Sequence, residues 1–343
     1  MIYNFKNDYT EGAHPNIIAA LTRTNSEQHE GYGLDTYCEK AATLLKSKVN
    51  NPNADIHFVS GGTQANAIII AASLRPYESV ISAETGHIAV HEAGAIENRG
   101  HKIHTVITPD GKLTCENIET VLNQHNDEHM VKPKLVFISN ATETGTIYKK
   151  TELTELSSYC KEKDLILYLD GARLGCAMSS NENDMAFDEL ANLVDVFYIG
   201  GTKNGAIIGE AVIINRDDLK KYFRFHLKQN GALLAKSRIF GLQFIELFKD
   251  ELYFDLARHA NDMANNFSMQ IKALGYSFLT QSVTNQIFPI LPNTIIDSLI
   301  EKYGFYVWNP VDAENSAIRL VTSWSTKEEA VDSFLTDLRV LTK

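Results

Sequence analysis

The chain has 343 residues, 44% hydrophobic and 22% charged, which is ordinary for a soluble globular protein and long enough for two lobes. Its formal net charge of −11 argues against nucleic acid or an anionic membrane as partner, so an anionic substrate must be held by particular arginines. No run approaches membrane-spanning length, and residues 1–8 carry no basic-then-apolar signal pattern.

The first clear strand is predicted over residues 56–59, followed by Ser60-Gly61-Gly62-Thr63-Gln64-Ala65-Asn66 and a helix over 64–74. Strand, glycine turn and helix form a candidate phosphate cradle. Gly61 and Gly62 let the backbone approach an anion, the helix start supplies free N–H groups, and Thr63 adds a hydroxyl. The plain alternative is a tight turn with Thr63 as N-cap. No Gly-x-Gly-x-x-Gly opens this helix, and Gly201-Thr202-Lys203 lacks the Walker spacing.

Strands are predicted next over 79–82 and 102–107, with a helix over 87–98 between them. A helix over 115–122 precedes a strand over 135–139, and a helix over 152–163 leads to a strand over 165–169. That strand runs into Asp170-Gly171-Ala172-Arg173. A strand over 194–199 then runs into Gly200-Gly201-Thr202-Lys203, and a further strand covers 211–214. Strands apolar on both faces, alternating with helices, predict an α/β fold with a mostly parallel sheet. Ligands in such sheets gather at the carboxyl ends of the strands, where Gly61, Asp170 and Lys203 all fall.

An aspartate that can hold a pyridinium proton, followed by a lysine that can condense with an aldehyde, is the minimum equipment for pyridoxal 5'-phosphate (PLP). Alone, Asp170-Gly171 reads as a turn and Lys203 as a solvated lysine. Order and strand context favour the cofactor.

Beyond residue 245 the pattern changes. A long amphipathic helix over 251–274 ends at Gly275, and an extended stretch covers 277–291. A helix near 294–302, closed by Gly304, precedes strands over 305–308 and 317–324. The last helix opens on Ser325-Thr326-Lys327-Glu328, the spacing of a capping box. The expected organisation is a large domain, 1–245, and a small α+β domain, 246–343, closely apposed because no flexible linker separates them. Cys38, Cys115, Cys160 and Cys176 form no Cys-x-x-Cys pair and no zinc spacing. Scattered reduced thiols suit a cytoplasmic protein, and no metal site is expected.

The set Gly62-Thr63-Gln64-Ala65-Asn66, His87 followed by Glu92-Ala93-Gly94, Asp170-Gly171-Ala172-Arg173, Lys203 and Arg319-Leu320-Val321-Thr322 resembles the low-specificity L-threonine aldolases. These belong to the β-eliminating lyases, PLP-dependent enzymes of fold type I, the aspartate aminotransferase-like fold. The resemblance spans nearly the whole chain, in order and at compatible spacing.

It implies that Lys203 bonds the cofactor aldehyde, Asp170 pairs with the pyridine nitrogen and His87 stacks on the ring. Without that context His87 reads as a helix-start histidine. Gly61, Gly62 and Thr63, with Thr202 as a weaker candidate, would cradle the phosphate. Arg173 and Arg319 would clamp the substrate carboxylate, with Asn7 nearby. Gly31-Tyr32-Gly33 matches a motif whose tyrosine reaches the neighbouring subunit's site, and Lys236 is a looser match across the same interface. A homodimer or homotetramer with shared sites follows from the resemblance, acting on a small amino acid. The expected reaction is cleavage of the Cα–Cβ bond of a β-hydroxy-α-amino acid, as of L-threonine to glycine and acetaldehyde. β-Elimination from a serine- or cysteine-like substrate is the alternative, then transamination, and outside enzymes a PLP-binding sensor or scaffold.

One departure stands out. Such aldolases usually carry a histidine after the strand corresponding to 135–139, where this chain reads Ser139-Asn140-Ala141-Thr142-Glu143-Thr144-Gly145. Retro-aldol cleavage requires the β-hydroxyl to lose its proton, which leaves His87, Glu143 or Thr142 as candidates, in that order.

Overall fold

A seven-stranded sheet runs through the computed structural model, which describes residues 3–342. Across the sheet its strands are Asp55–Val59, Glu210–Ile214, Val196–Gly200, Ile166–Asp170, Lys132–Ser139, Glu78–Ala83 and Ile103–Val106. Glu210–Ile214 runs against both neighbours, and every pair that does not include it is parallel.

Alternate residues of each strand point to opposite faces, and both faces are buried. Val136, Ile138, Leu167, Leu169, Phe197 and Ile199 pack on one side, against the helices Thr36–Lys48, Lys150–Glu162 and Arg238–Phe248. Leu135, Phe137, Ile166, Tyr168, Val196 and Tyr198 pack on the other, against Gly62–Ser73 and Phe223–Gln229. The continuous apolar runs in the sequence therefore mark strands covered on two sides.

A separate core lies among the helices Leu252–Ala273, Asn293–Ile300 and Glu328–Leu341 and the strand Asn315–Val321. Phe267 and Phe334 pack edge-on there, their ring centroids 5.3 Å apart. The N-terminal segment enters the same core, with Phe5 5.1 Å from Phe267 and 5.9 Å from Phe334. Phe5 donates its N–H to the Gly304 carbonyl, and its own carbonyl accepts from the Val321 N–H. Residues 3–8 are thus stitched to the C-terminal elements and deliver Asp8 and Tyr9 toward the large sheet.

Local expectations fail at four places. The helix over 87–98 is a single turn, His87–Val90, because Ala93 and Gly94 take positive φ (49° and 73°) and a short 3-10 turn, Glu97–Arg99, follows. Gly304 does not close a helix but pairs in a short strand with Asn4. In the stretch 277–291 only Gln286–Ile287 and the start of Ile290–Pro292 are strand. The final helix, Glu328–Leu341, has Lys327 at its N-cap with no side-chain bond. Thr326 instead accepts the Ser323 N–H at 2.8 Å, so its hydroxyl closes the turn before the helix and no capping box forms. The helices Pro15–Arg23, Thr36–Lys48 and Arg238–Phe248 complete the layers, the second capped by Asp35 on the Cys38 N–H at 2.8 Å.

Candidate active site

Two glycines let the strand ends converge. A Cβ at Gly171 would lie 1.8 Å from the Tyr198 carbonyl oxygen, so the Asp170-Gly171 corner can touch the neighbouring strand only without a side chain. A Cβ at Gly62 would lie 2.9 Å from the Tyr198 hydroxyl. That hydroxyl therefore slips past the start of the helix Gly62–Ser73 and donates to Asp170 Oδ1 at 2.5 Å.

Asp170 is buried and heavily oriented. Oδ1 also accepts the Ala172 N–H at 2.9 Å, and Oδ2 accepts Asn66 Nδ2 at 3.2 Å. The same amide nitrogen donates to Glu92 at 2.6 Å, and Glu92 holds His87 Nδ1 at 2.8 Å. A chain of side chains thus runs from His87 through Glu92 and Asn66 to Asp170. The broken helix after Val90 is what allows Glu92 to turn inward.

A cavity of about 210 Å³ lies at these strand ends, with Gly61, Thr63, His87, Asp170, Lys203 and Glu210 on its walls, alongside Gly62, Arg173 and Thr202. The helix Gly62–Ser73 begins there with Gly61 as an N-cap that carries no side-chain bond, and nothing occupies the space where a Gly61 Cβ would be. Its N-terminal N–H groups are available to an anion. Burial, then the charge of Arg173, pulls the Lys203 ammonium below the usual lysine value, against Asp8, Asp170 and Glu210. A buried amine of lowered pKa, a fixed carboxylate and an uncapped helix start fit the aldehyde, pyridine nitrogen and phosphate of PLP.

A second cavity, of about 460 Å³, shares His87, Glu143, Arg173 and Lys203 with the first and extends to His91, Trp308 and Arg319. Arg319 sits on the strand Asn315–Val321 with its guanidinium 5.2 Å from the Trp308 ring centre and 6.0 Å from Tyr306. Its Nε has no hydrogen-bond partner among the described residues. Burial, then Arg173, brings its pKa down to about 10, so it stays a cation at neutral pH. Arg173 is different, because Nε and Nη2 are engaged by Asp8.

Of the residues singled out in the sequence, Lys203, His87, Asp170, Gly61, Gly62, Thr63, Thr202 and Arg173 line the inner cavity, and Arg319 lines the outer one. Thr202 already accepts the Gly209 N–H and contacts Glu210, so its hydroxyl serves its own loop. Asn7 accepts the Tyr9 N–H and the Thr10 hydroxyl, and it is Tyr9 that lines both cavities. Tyr32 lies elsewhere, half exposed, beside a third cavity with Leu34 and Arg224.

Sequence reasoning missed Asp8, Glu210, Tyr198 and His91. Glu210 had a visible signal, an acid opening an otherwise apolar strand seven residues after Lys203. Its carboxylate accepts the Gly201 N–H at 2.7 Å and is pushed up to about 7 by burial.

A mostly parallel sheet with a lysine of lowered pKa and an oriented aspartate at its strand ends defines a PLP-dependent enzyme of fold type I. A threonine aldolase from Leishmania major superposes with a TM-score of 0.98 at 47% identity, covering 99% of this chain and 100% of that one. A low specificity L-threonine aldolase from Pseudomonas aeruginosa is 31% identical over 98% of this chain and 97% of its own. A serine palmitoyltransferase from Sphingomonas wittichii shares the fold alone, at a TM-score of 0.74 and 15% identity, covering 99% of this chain and 86% of that one. The family model described as beta-eliminating lyase matches residues 7–293. The chain belongs to the beta-eliminating lyase family, on the side of the low-specificity L-threonine aldolases, and is a PLP-dependent lyase.

Proposed function

We propose that this enzyme cleaves the Cα–Cβ bond of L-threonine and related β-hydroxy-α-amino acids, releasing glycine and an aldehyde. The carrying observation is the outer cavity, where the unpartnered Arg319 faces the space above Lys203. The aldolases that resemble the chain along its full length support the same reaction.

Bound in the inner cavity, PLP supplies an aldehyde for an amine and a ring that takes up the electron pair left at Cα. Lys203 would provide the amine that holds the cofactor aldehyde. The start of the helix Gly62–Ser73, with Thr63, holds the phosphate. Asp170, fixed by Tyr198 and Asn66, would pair with the pyridine nitrogen and favour its protonated form. The His87 ring, oriented by Glu92, would pack against the cofactor. Arg319 takes the substrate carboxylate, beside the Arg173–Asp8 pair.

In this reading residues 1–245 carry the cofactor groups and residues 246–343 deliver Arg319. The enzyme works as a homodimer or homotetramer in which Tyr32 reaches the partner's site. Exposed Tyr32, Leu34 and Phe225 support such an interface. Four unpaired thiols support a cytoplasmic location, and no helix among the described residues is long and apolar enough to cross a membrane.

The test incubates holoenzyme with L-threonine, L-serine and L-cysteine while acetaldehyde and pyruvate are measured. Acetaldehyde from threonine is expected. Steady pyruvate without acetaldehyde would replace the aldolase by an eliminase. Borohydride should fix cofactor to Lys203 in the wild type and not in Lys203→Ala.

A further inference from the structure

Cleavage of a β-hydroxy amino acid leaves one proton to place, that of the hydroxyl. The three candidates visible in the sequence fare unequally. Thr142 is fully buried and bonded to the Thr146 and Thr144 hydroxyls at 2.7 and 3.1 Å, away from both cavities. Glu143 accepts the Ser139 hydroxyl at 2.8 Å and the His87 N–H at 3.0 Å, and burial with Asp170 nearby raises its pKa toward the protonated form. His87 already gives Nδ1 to Glu92.

A fourth group stands where the substrate side chain must go. His91 follows the single turn His87–Val90, its ring centroid 5.5 Å from that of His87 and 6.4 Å from that of Trp308. It lines the outer cavity with Arg319 and Lys203, the two groups that bracket a bound amino acid. The titratable groups facing this space are His87 from the same turn, Glu143 from the loop after its strand, and Arg173 and Lys203 from the strand ends. Tyr9 comes from the N-terminal segment, and Arg319 and Tyr306 come from the small sheet. Partial burial, then His87, Arg319 and Lys203, lowers the pKa of His91. At neutral pH it offers a neutral imidazole with a free lone pair.

We propose that His91 is the catalytic residue that accepts the β-hydroxyl proton during cleavage and returns it in the reverse addition. The proton passes from oxygen to a ring nitrogen, and the O–H electron pair becomes the second bond of the aldehyde carbonyl. The Cα–Cβ pair stays with the glycine fragment. This rests on the aldolase reading.

The experiment compares wild-type and His91→Asn holoenzyme in two reactions. Aldehyde release from L-threonine should fall about 100- to 10,000-fold in kcat, with KM changed far less. Exchange of the glycine α-proton with D₂O, which involves no hydroxyl, should stay near the wild-type rate. In the cofactor-free protein the His91 ring, followed by NMR, should titrate below about 6.5. A kcat within about threefold of wild type, an equal loss in both reactions, or a higher His91 midpoint would overturn the assignment. Wild type that exchanges glycine but releases no aldehyde would overturn the aldolase reading itself.

Discussion

Arg173 grips Asp8 through two contacts, Nε to Oδ2 at 2.8 Å and Nη2 to Oδ1 at 3.0 Å, with both side chains almost wholly buried. Asp8 also accepts Asn285 Nδ2 at 2.9 Å, and that nitrogen donates to the Thr322 carbonyl at 2.8 Å. One carboxylate therefore joins the N-terminal segment, the large-sheet corner that carries Asp170 and the strand end beyond Arg319. The pair neutralises one of the two arginines near the substrate space and leaves Arg319 as the cation without a counter-charge bonded to it.

Asp8→Ala should destabilise the protein by about 3–5 kcal/mol, because it strands a buried guanidinium. Burial works to raise the Asp8 carboxyl, but Arg173 and Lys203 outweigh it and hold it below the usual range. Its contribution is therefore complete above the unfolded value of about 3.9 and is lost as pH falls through the lower folded value. Urea melts from pH 3 to 7 check both points; the variant should show a shallower acid decline than wild type. Equal stability at pH 7 would mean that the pair is dispensable.

Arg319→Ala should lower kcat/KM for L-threonine by about 30- to 1,000-fold, or ~2–4 kcal/mol, while leaving the cofactor absorbance unchanged. The side chain lines the outer cavity and not the inner one that would hold the cofactor. Kinetics together with a cofactor titration separate the two effects. A loss of cofactor affinity would move Arg319 out of substrate binding.

Glu210→Gln should change the pH profile of stability. Burial pushes the Glu210 carboxyl up to about 7, above an unfolded value of about 4.3. Between those values the folded state binds more protons than the unfolded, so wild type loses stability as pH rises through that window, and the penalty is constant above it. The substituted amide cannot ionise, and its oxygen can still accept the Gly201 N–H. The stability of E210Q relative to wild type should therefore rise between about pH 4.5 and 7.5 in urea melts of the cofactor-free protein. Parallel profiles would show that Glu210 ionises normally.

The sequence by itself determined the parts whose signals are local. Apolar runs such as 135–138 required strands covered on both faces, Gly61 and Gly62 marked a glycine turn into a helix, and Asp170 and Lys203 stood at strand ends. Those features follow from periodicity and turn chemistry, which neighbouring residues set. The tertiary structure alone decided which charges meet. Asp8 and Arg173 are 165 positions apart, and Asn285 reaches the same carboxylate from 277 positions away. It also decided that the stretch after Val90 breaks, since Ala93 and Gly94 turn the chain so that Glu92 can reach Asn66 and His87. Periodicity over 87–98 favours a continuous helix, and the inward hydrogen bonds of one buried carboxylate outweigh it. The same break places His91 at the outer cavity, a position that no spacing in the sequence encodes.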